Sequence, residues 1–228
     1  MIIDTHCHYD MMRSPESYIE KVEKTGDIVI GMTNLPSHFD IGFEYIRKYK
    51  KVRLALGFHP QLAADNKDEL SLFAKYLERT SYIGEIGLDF SSDYISTKDI
   101  QLSCLKYILK ELQGKNKIIS VHSRCAEKEL VSLLLDYNIK NVIFHWYSGP
   151  LSLISDIISE GYYFSINEAM TLSASGRKII EKIPVERILT ESDAPFNRKN
   201  NIALALRNLG IEENLIERNF HQLMIQIR

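Results

Sequence analysis

Imidazoles and carboxylates recur in short, spaced motifs along the chain. His6 and His8 stand two apart in DTHCH, Glu85 lies in YIGEIGLD, His122 in VHSR, His145 in FHWYSG and Asp193 in TESDAP. Their nitrogens and carboxylate oxygens are ligands suited to Zn, Mn, Mg or Fe. In extended chain alternate residues point to one side, so His6 and His8 project together. Cys7 projects the other way, as a small hydrophobe packed between strand and helix rather than a ligand. Asp4 shares the histidine side but lies deeper. It either accepts a histidine N–H behind the ligands or is satisfied by backbone donors. Six ligands are too many for one four-coordinate catalytic zinc and suit two divalent ions (Mg, Mn or Zn) sharing a carboxylate. Glu85 is the natural bridge, because its flanking glycines leave room and each oxygen can serve one ion. His6, His8 and Asp193 then go to one ion, and His122 and His145 to the other. Such a pair lowers the pKa of a bound water toward about 7 and stabilises charge in an in-line displacement at phosphorus, which is hydrolytic chemistry.

Residues so far apart in sequence meet only if regular elements carry them to one face. Apolar, β-rich runs at 2–5, 27–31, 53–57, 82–87, 118–122, 142–145, 162–165 and 188–191 read as strands, with helical periods between them. One helix is expected over 98–113, with Cys104, Leu105, Ile108, Leu109 and Leu112 as its apolar stripe, Thr97 as N-cap and Gly114 as stop. Leu130, Leu133, Leu134 and Tyr137 make another stripe. Eight strand–helix units in 228 residues predict an α/β chain of one domain, 1–228, folded as a (β/α)8 TIM-type barrel. An open doubly wound sheet would need no eighth strand. The candidate ligands sit in the strands or at their C-terminal ends, where this barrel places its chemistry. The basic run Arg47, Lys48, Lys50, Lys51 and Arg53 leads into a strand instead, on the opposite face, and reads as solvated surface.

The 28 basic and 30 acidic residues give a net charge of −2, so no global field draws the chain to nucleic acid or membrane. At 45% hydrophobic and 25% charged it is an ordinary globular composition, which excludes disordered, collagenous and disulfide-scaffold classes. Asp136, Asn138, His145 and Asp156 break the longest apolar stretches well short of the roughly 18 residues a membrane span needs. The first residues lack a basic segment followed by an apolar one, so no secretory leader is expected. Cys7, Cys104 and Cys125 are odd in number and scattered, which suits a reducing compartment. A cytoplasmic protein is expected.

DTHCHYD, GFHP, GEIGLD, VHSR, FHWYSG and TESDAP, in this order and at these distances, resemble the motifs of the TatD family of metal-dependent deoxyribonucleases. The resemblance runs from Ile2 to about Pro195, with a weaker match at Asn219 and Phe220. It implies a (β/α)8 barrel, a divalent-metal centre and hydrolysis of DNA, often from a 3′ end, with ligands at His6, His8, Glu85, His122, His145 and Asp193. It further implies that His59 holds substrate phosphate, against the alternative of a turn formed with Pro60. Asp193 would add proton transfer to ligation. Arg124, two residues after a ligand, could fork onto a phosphate or close a rim salt bridge. Trp146 and Tyr147 could stack on unpaired bases or simply pack at the rim.

The chain departs from the family pattern in two places. The segment after Asp193 is short, which leaves no assured substrate contact there, and YYFSINEAM adds Glu168 near the rim, where an unpaired acid would repel phosphate. These features resemble compact TatD-like members of antiphage defence operons, which implies partner proteins in a multi-gene system. The expected substrate is DNA ends or single-stranded DNA. Two alternatives are a binuclear amidohydrolase acting on a C–N or ester bond of a nucleotide-like conjugate, and a nucleic-acid-binding subunit. Many such amidohydrolases bridge their metals with a carboxylated lysine in the fourth strand, where this chain has Glu85.

Overall fold

The computed structural model describes residues 1–227. Among them are eight strands, all paired in parallel: β1 Ile3–Cys7, β2 Ile28–Gly31, β3 Val52–Leu54, β4 Tyr82–Asp89, β5 Ile118–Arg124, β6 Val142–His145, β7 Tyr163–Ile166 and β8 Ile188–Thr190. The helices are α1 Pro15–Thr25, α2 Pro36–Ile46, α3 Leu70–Tyr76, α4 Lys98–Leu112, α5 Glu127–Asp136, α6 Ile154–Ser159, α7 Glu168–Leu172, α8 Ala174–Ile180, α9 Ile202–Leu209 and α10 Glu213–Ile225. The architecture is the (β/α)8 barrel. Strands such as β6 (VIFH) and β7 (YFSI) are buried at every residue, which is why they read as near-continuous apolar runs without alternation.

Two ladders make up the barrel, β1-β2-β3 and β4-β5-β6-β7-β8. Between β3 and β4 a bridge at Leu56 and Ile83 joins them, with Leu56 N–H donating to Tyr82 O (3.0 Å) and Gly84 N–H to Leu56 O (2.9 Å). Strand β3 ends sooner than expected because the Thr33 hydroxyl donates to Ala55 O (2.8 Å) and accepts from Gly57 N–H (3.0 Å), replacing ladder bonds. Between β8 and β1 two threonines take over: Thr5 Oγ1 donates to Thr190 O (3.0 Å), and Thr190 Oγ1 donates to Ile3 O.

Of the two helix signals expected for α4, Gly114 (φ +71°) follows its C-terminal end as a stop, and Thr97 fails; α1 carries signals of its own. Pro15 opens α1, and Gly26, at φ +81°, closes it. The stripe from Cys104 to Leu112 is buried against the barrel. Thr97 occupies the N-cap position of α4 but does not cap it; its hydroxyl donates to Tyr94 O (2.9 Å) and accepts from Gln101 (3.0 Å). In α10, Asn219 donates to Val185 O (2.7 Å) and Ile188 O (2.8 Å), so this weak motif match fastens a helix to β8. Of the basic run, Arg47, Lys48 and Lys50 lie ahead of β3 as exposed surface, Lys48 over the Tyr45 and Tyr49 rings, whereas Arg53 lies within β3, half-buried, and donates to Tyr49 O (2.6 Å) and Val52 O (3.1 Å).

Candidate metal centre

Glu85 lies midway along β4 between two glycines that permit close approach, Gly84 (φ +150°) and Gly87 (φ +145°): a Cβ at Gly84 would stand 2.5 Å from the Met32 Sδ that packs against it, and one at Gly87 would stand 2.1 Å from His122 O of β5. The carboxylate is buried, and its two oxygens face different histidines. Oε2 lies 3.5 Å from His6 Nε2, 3.3 Å from His8 Nε2 and 3.4 Å from His59 Nε2. Oε1 lies 2.7 Å from His122 Nδ1 and 2.8 Å from His145 Nε2. Asp193 Oδ1 adds an acceptor 3.9 Å from both His6 and His8. Its backbone is held left-handed at φ +50° while its N–H bonds His6 O (3.0 Å).

This donor set fits divalent ions. His6 Nε2 and His8 Nε2 face each other at 3.2 Å. Donors held by one tetrahedral ion at about 2.1 Å stand about 3.4 Å apart. His6, His8 and Asp193 form one ligand-capable group; His6, Glu85 and His145 form a second; His59, Glu85 and His122 form a third. The structure thus brings all six expected ligands together, and it adds His59 to the cluster. Burial alone would raise the Glu85 carboxyl, but the charges of His59 and His145 and the bond from His122 hold it well below the usual range. Burial opposes charge on His145 as well, yet Glu85 and Glu191 push its pKa well above the ordinary value. Burial and the charge of His145 push His6 well below. Asp193 is pushed up to about 7, first by burial, with Glu191 and Glu85 adding to it. One carboxylate at the centre is therefore strongly anionic among crowded imidazoles, an arrangement that cations relieve.

The rings are oriented from behind, and the sequence reading assigned no role to most of these partners. His122 Nε2 donates to Asp89 Oδ2 (3.1 Å), so Nδ1, the atom facing Glu85, is the one that would ligate an ion on losing its proton. Asp89 is buried and also accepts from Gln61 (2.7 Å) and Ser91. His6 Nδ1 bonds Ser120 (2.8 Å), and His145 Nδ1 lies 3.7 Å from Glu191, which Ser165 and Asn167 hold. The signal for Asp89 was its place four residues after Glu85, on the same strand face. Asp4 takes the backbone alternative, accepting from the N–H groups of His6 (3.2 Å) and Ser192 (3.0 Å).

His59 Nδ1 accepts the Gln61 N–H at 3.3 Å, so the neutral ring carries its proton on Nε2. His59 therefore shapes the turn at Pro60 and also presents a donor to the cleft. The cleft, about 530 Å³, is lined by His59, Arg124, Trp146 and Phe196 as well as by His8, Glu85, His122, His145 and Asp193. Arg124 is exposed and pairs with no carboxylate among the described residues, so the rim salt bridge does not form. Trp146 lines the cleft with its backbone at φ +36°, rare for a bulky residue. Tyr147 is core: it is buried, and its hydroxyl donates to Pro150 O (2.8 Å), which removes it as a stacking surface. Glu168 is no repulsive acid on the cleft either; it is buried and accepts the Asn201 N–H (3.0 Å). Cys7 is buried on the other side of β1, beside Tyr18 and Ala194 O.

The family model described as TatD related DNase matches residues 3–213. The chain belongs to this family. Among its TatD relatives, the human protein named Deoxyribonuclease TATDN3 is 25% identical over 213 residues, covering 85% of this chain and 78% of that protein. An uncharacterized metal-dependent hydrolase, YabD, from Bacillus subtilis is 29% identical, covering 86% of this chain and 81% of its own length. The TatD homolog YJJV from Escherichia coli shares the fold with a TM-score of 0.81 at 22% identity, over 99% of this chain and 97% of that one. A mutant of organophosphorus hydrolase shares it with a TM-score of 0.63 at 11% identity, over 99% and 92%. This chain is a TatD-type metal-dependent hydrolase, and no described helix is long and apolar enough to cross a membrane.

Proposed function

We propose that the chain, acting as one catalytic domain, hydrolyses phosphodiester bonds at DNA ends with two divalent ions shared through Glu85. The observation that carries this reading is the division of the Glu85 oxygens, one toward His6 and His8 and the other toward His122 and His145. His6, His8 and Asp193 would hold one ion, and His122 and His145 the other. When bound, the ions supply Lewis acidity, acidifying water and neutralising charge on phosphate. Asp193 would also accept the proton of the attacking water at its carboxylate oxygen. His59 Nε2–H donates to a phosphate oxygen, and the Arg124 guanidinium grips a phosphate in its fork.

DNA as substrate is supported by relatives named as deoxyribonucleases. Attack at ends is supported by the resemblance to the TatD motifs, which implies hydrolysis often from a 3′ end. The resemblance to compact defence-associated members supports work in the cytoplasm beside partner proteins, which co-purification from the native host tests. The main test is purified protein with Mg²⁺, Mn²⁺ or Zn²⁺ against end-labelled single- and double-stranded DNA and RNA. Mononucleotides released in order from one DNA end are expected; internal fragments, or cleavage of RNA alone, would refute the reading.

A further inference from the structure

Phe196 is 58% exposed, although Ala194 and Asn197 beside it are buried. The loop fixes it there. Asn197 N–H bonds Asp193 O (2.9 Å), the Asn197 amide and Lys199 exchange two bonds (2.8 and 2.9 Å), and Asn201 N–H bonds Glu168 (3.0 Å). The ring meets His8 edge-on with centroids 5.1 Å apart. Around the barrel rim Arg124 ends β5, Trp146 follows β6 and Phe196 follows β8, so one arc of the cleft offers a cation and two aromatic rings. The β2 and β3 loops opposite contribute Asn34, His59 and Gln61. Asn34 Oδ1 and Ser123 Oγ, on cleft-lining residues, are buried without a hydrogen-bond partner among the described residues. A single exposed phenylalanine is ordinary. One tied in place beside a ligand histidine, across a cleft from uncommitted polar atoms, matches a nucleotide, which has a flat base, polar edges and an anionic phosphate.

We propose that Phe196 stacks on the terminal base of the nucleic acid and so makes an unpaired end the preferred substrate. The short loop after β8 thereby supplies a substrate contact. A paired terminal base reaches the ring only after leaving its stack, which slows blunt duplexes. The inference rests on the reading of the chain as a DNA hydrolase.

The test compares a short single strand with the same strand ending in an abasic residue, at each terminus separately. Wild type, Phe196→Ala and Phe196→Tyr are assayed, with metal content measured for each. At the attacked end, wild type should lose about tenfold in kcat/KM on the abasic strand. Phe196→Ala should lose a similar factor on the normal strand and cease to distinguish the two, with metal content unchanged. Phe196→Tyr should retain both rate and discrimination. Wild-type discrimination surviving in Phe196→Ala would overturn the inference while leaving DNA hydrolysis standing. Failure of metal-loaded wild type to cut any nucleic acid would overturn both.

Discussion

Replacing Asp89 by Asn tests how the second ion is held. Asp89 Oδ2 accepts from His122 Nε2 at 3.1 Å and Gln61 at 2.7 Å, while Oδ1 accepts the Ser91 N–H at 2.9 Å. An asparagine there has one acceptor and one NH₂ group. If its oxygen faces Ser91, the NH₂ opposes the His122 N–H; if it faces His122, the NH₂ opposes the Ser91 N–H. The first arrangement favours the His122 tautomer protonated on Nδ1, the atom 2.7 Å from Glu85 that would ligate. Losing such a ring-orienting carboxylate typically lowers metal affinity or activity 10- to 100-fold, or about 1.4–2.7 kcal/mol. The expected result is selective: the ion served by His6, His8 and Asp193 stays tight while the other weakens. Competition with a graded chelator series measures both affinities, and the imidazole nitrogen NMR shifts of His122 report the tautomer. Two ions bound with wild-type affinity by a folded Asp89→Asn protein would refute the orientation argument.

Glu85→Gln should abolish hydrolysis and also lower the melting temperature in chelator, because the amide removes both the charge that would hold two cations together and the buried anion that His122 and His145 face; near-normal turnover at full metal occupancy would exclude the bridge. Cys7→Ala should keep metal and activity with a stability loss of about 1 kcal/mol from lost packing, whereas His6→Ala should lose metal by elemental analysis. Arg124→Ala should lower kcat/KM on an oligonucleotide without changing metal content, and Arg124→Lys should recover only part, since a point charge does not reproduce a bidentate fork. Oligonucleotide binding should weaken only shallowly with salt, in keeping with the single arginine in the cleft lining; a steep slope would point to further phosphate contacts.

The strand positions were legible because a parallel barrel buries both strand faces and leaves unbroken apolar runs. The ligand-bearing motifs were legible because they stand at the ends or centres of those runs. Hidden were features set by side chains crossing between elements. Thr33 truncates β3 through two hydroxyl bonds that no periodicity announces, and the Thr5–Thr190 exchange joins residues 185 positions apart. Asp89 sits in a quoted motif, yet its role depends on β5 lying beside β4 in a register that pairs Asp89 with Arg124, close to His122. Glu168 looked like a rim acid because sequence gives no view of the Asn201 N–H that it accepts.

The division of the barrel into two ladders gives the ligands a mechanical meaning. His6 and His8 belong to the three-stranded ladder and its exit, whereas Glu85, His122 and His145 belong to the five-stranded one. An ion shared between Glu85 and the first pair, as proposed, would be a clasp across the gaps on either side of β1-β2-β3. Ligand binding at about 100 times its dissociation constant adds about 2.7 kcal/mol to the folded state. Here that increment should concentrate where the ladders meet. Chelation should speed amide hydrogen exchange first at Leu56, Gly84 and Asp193, whose N–H groups cross the gaps, while the β5-β6-β7 centre exchanges as before.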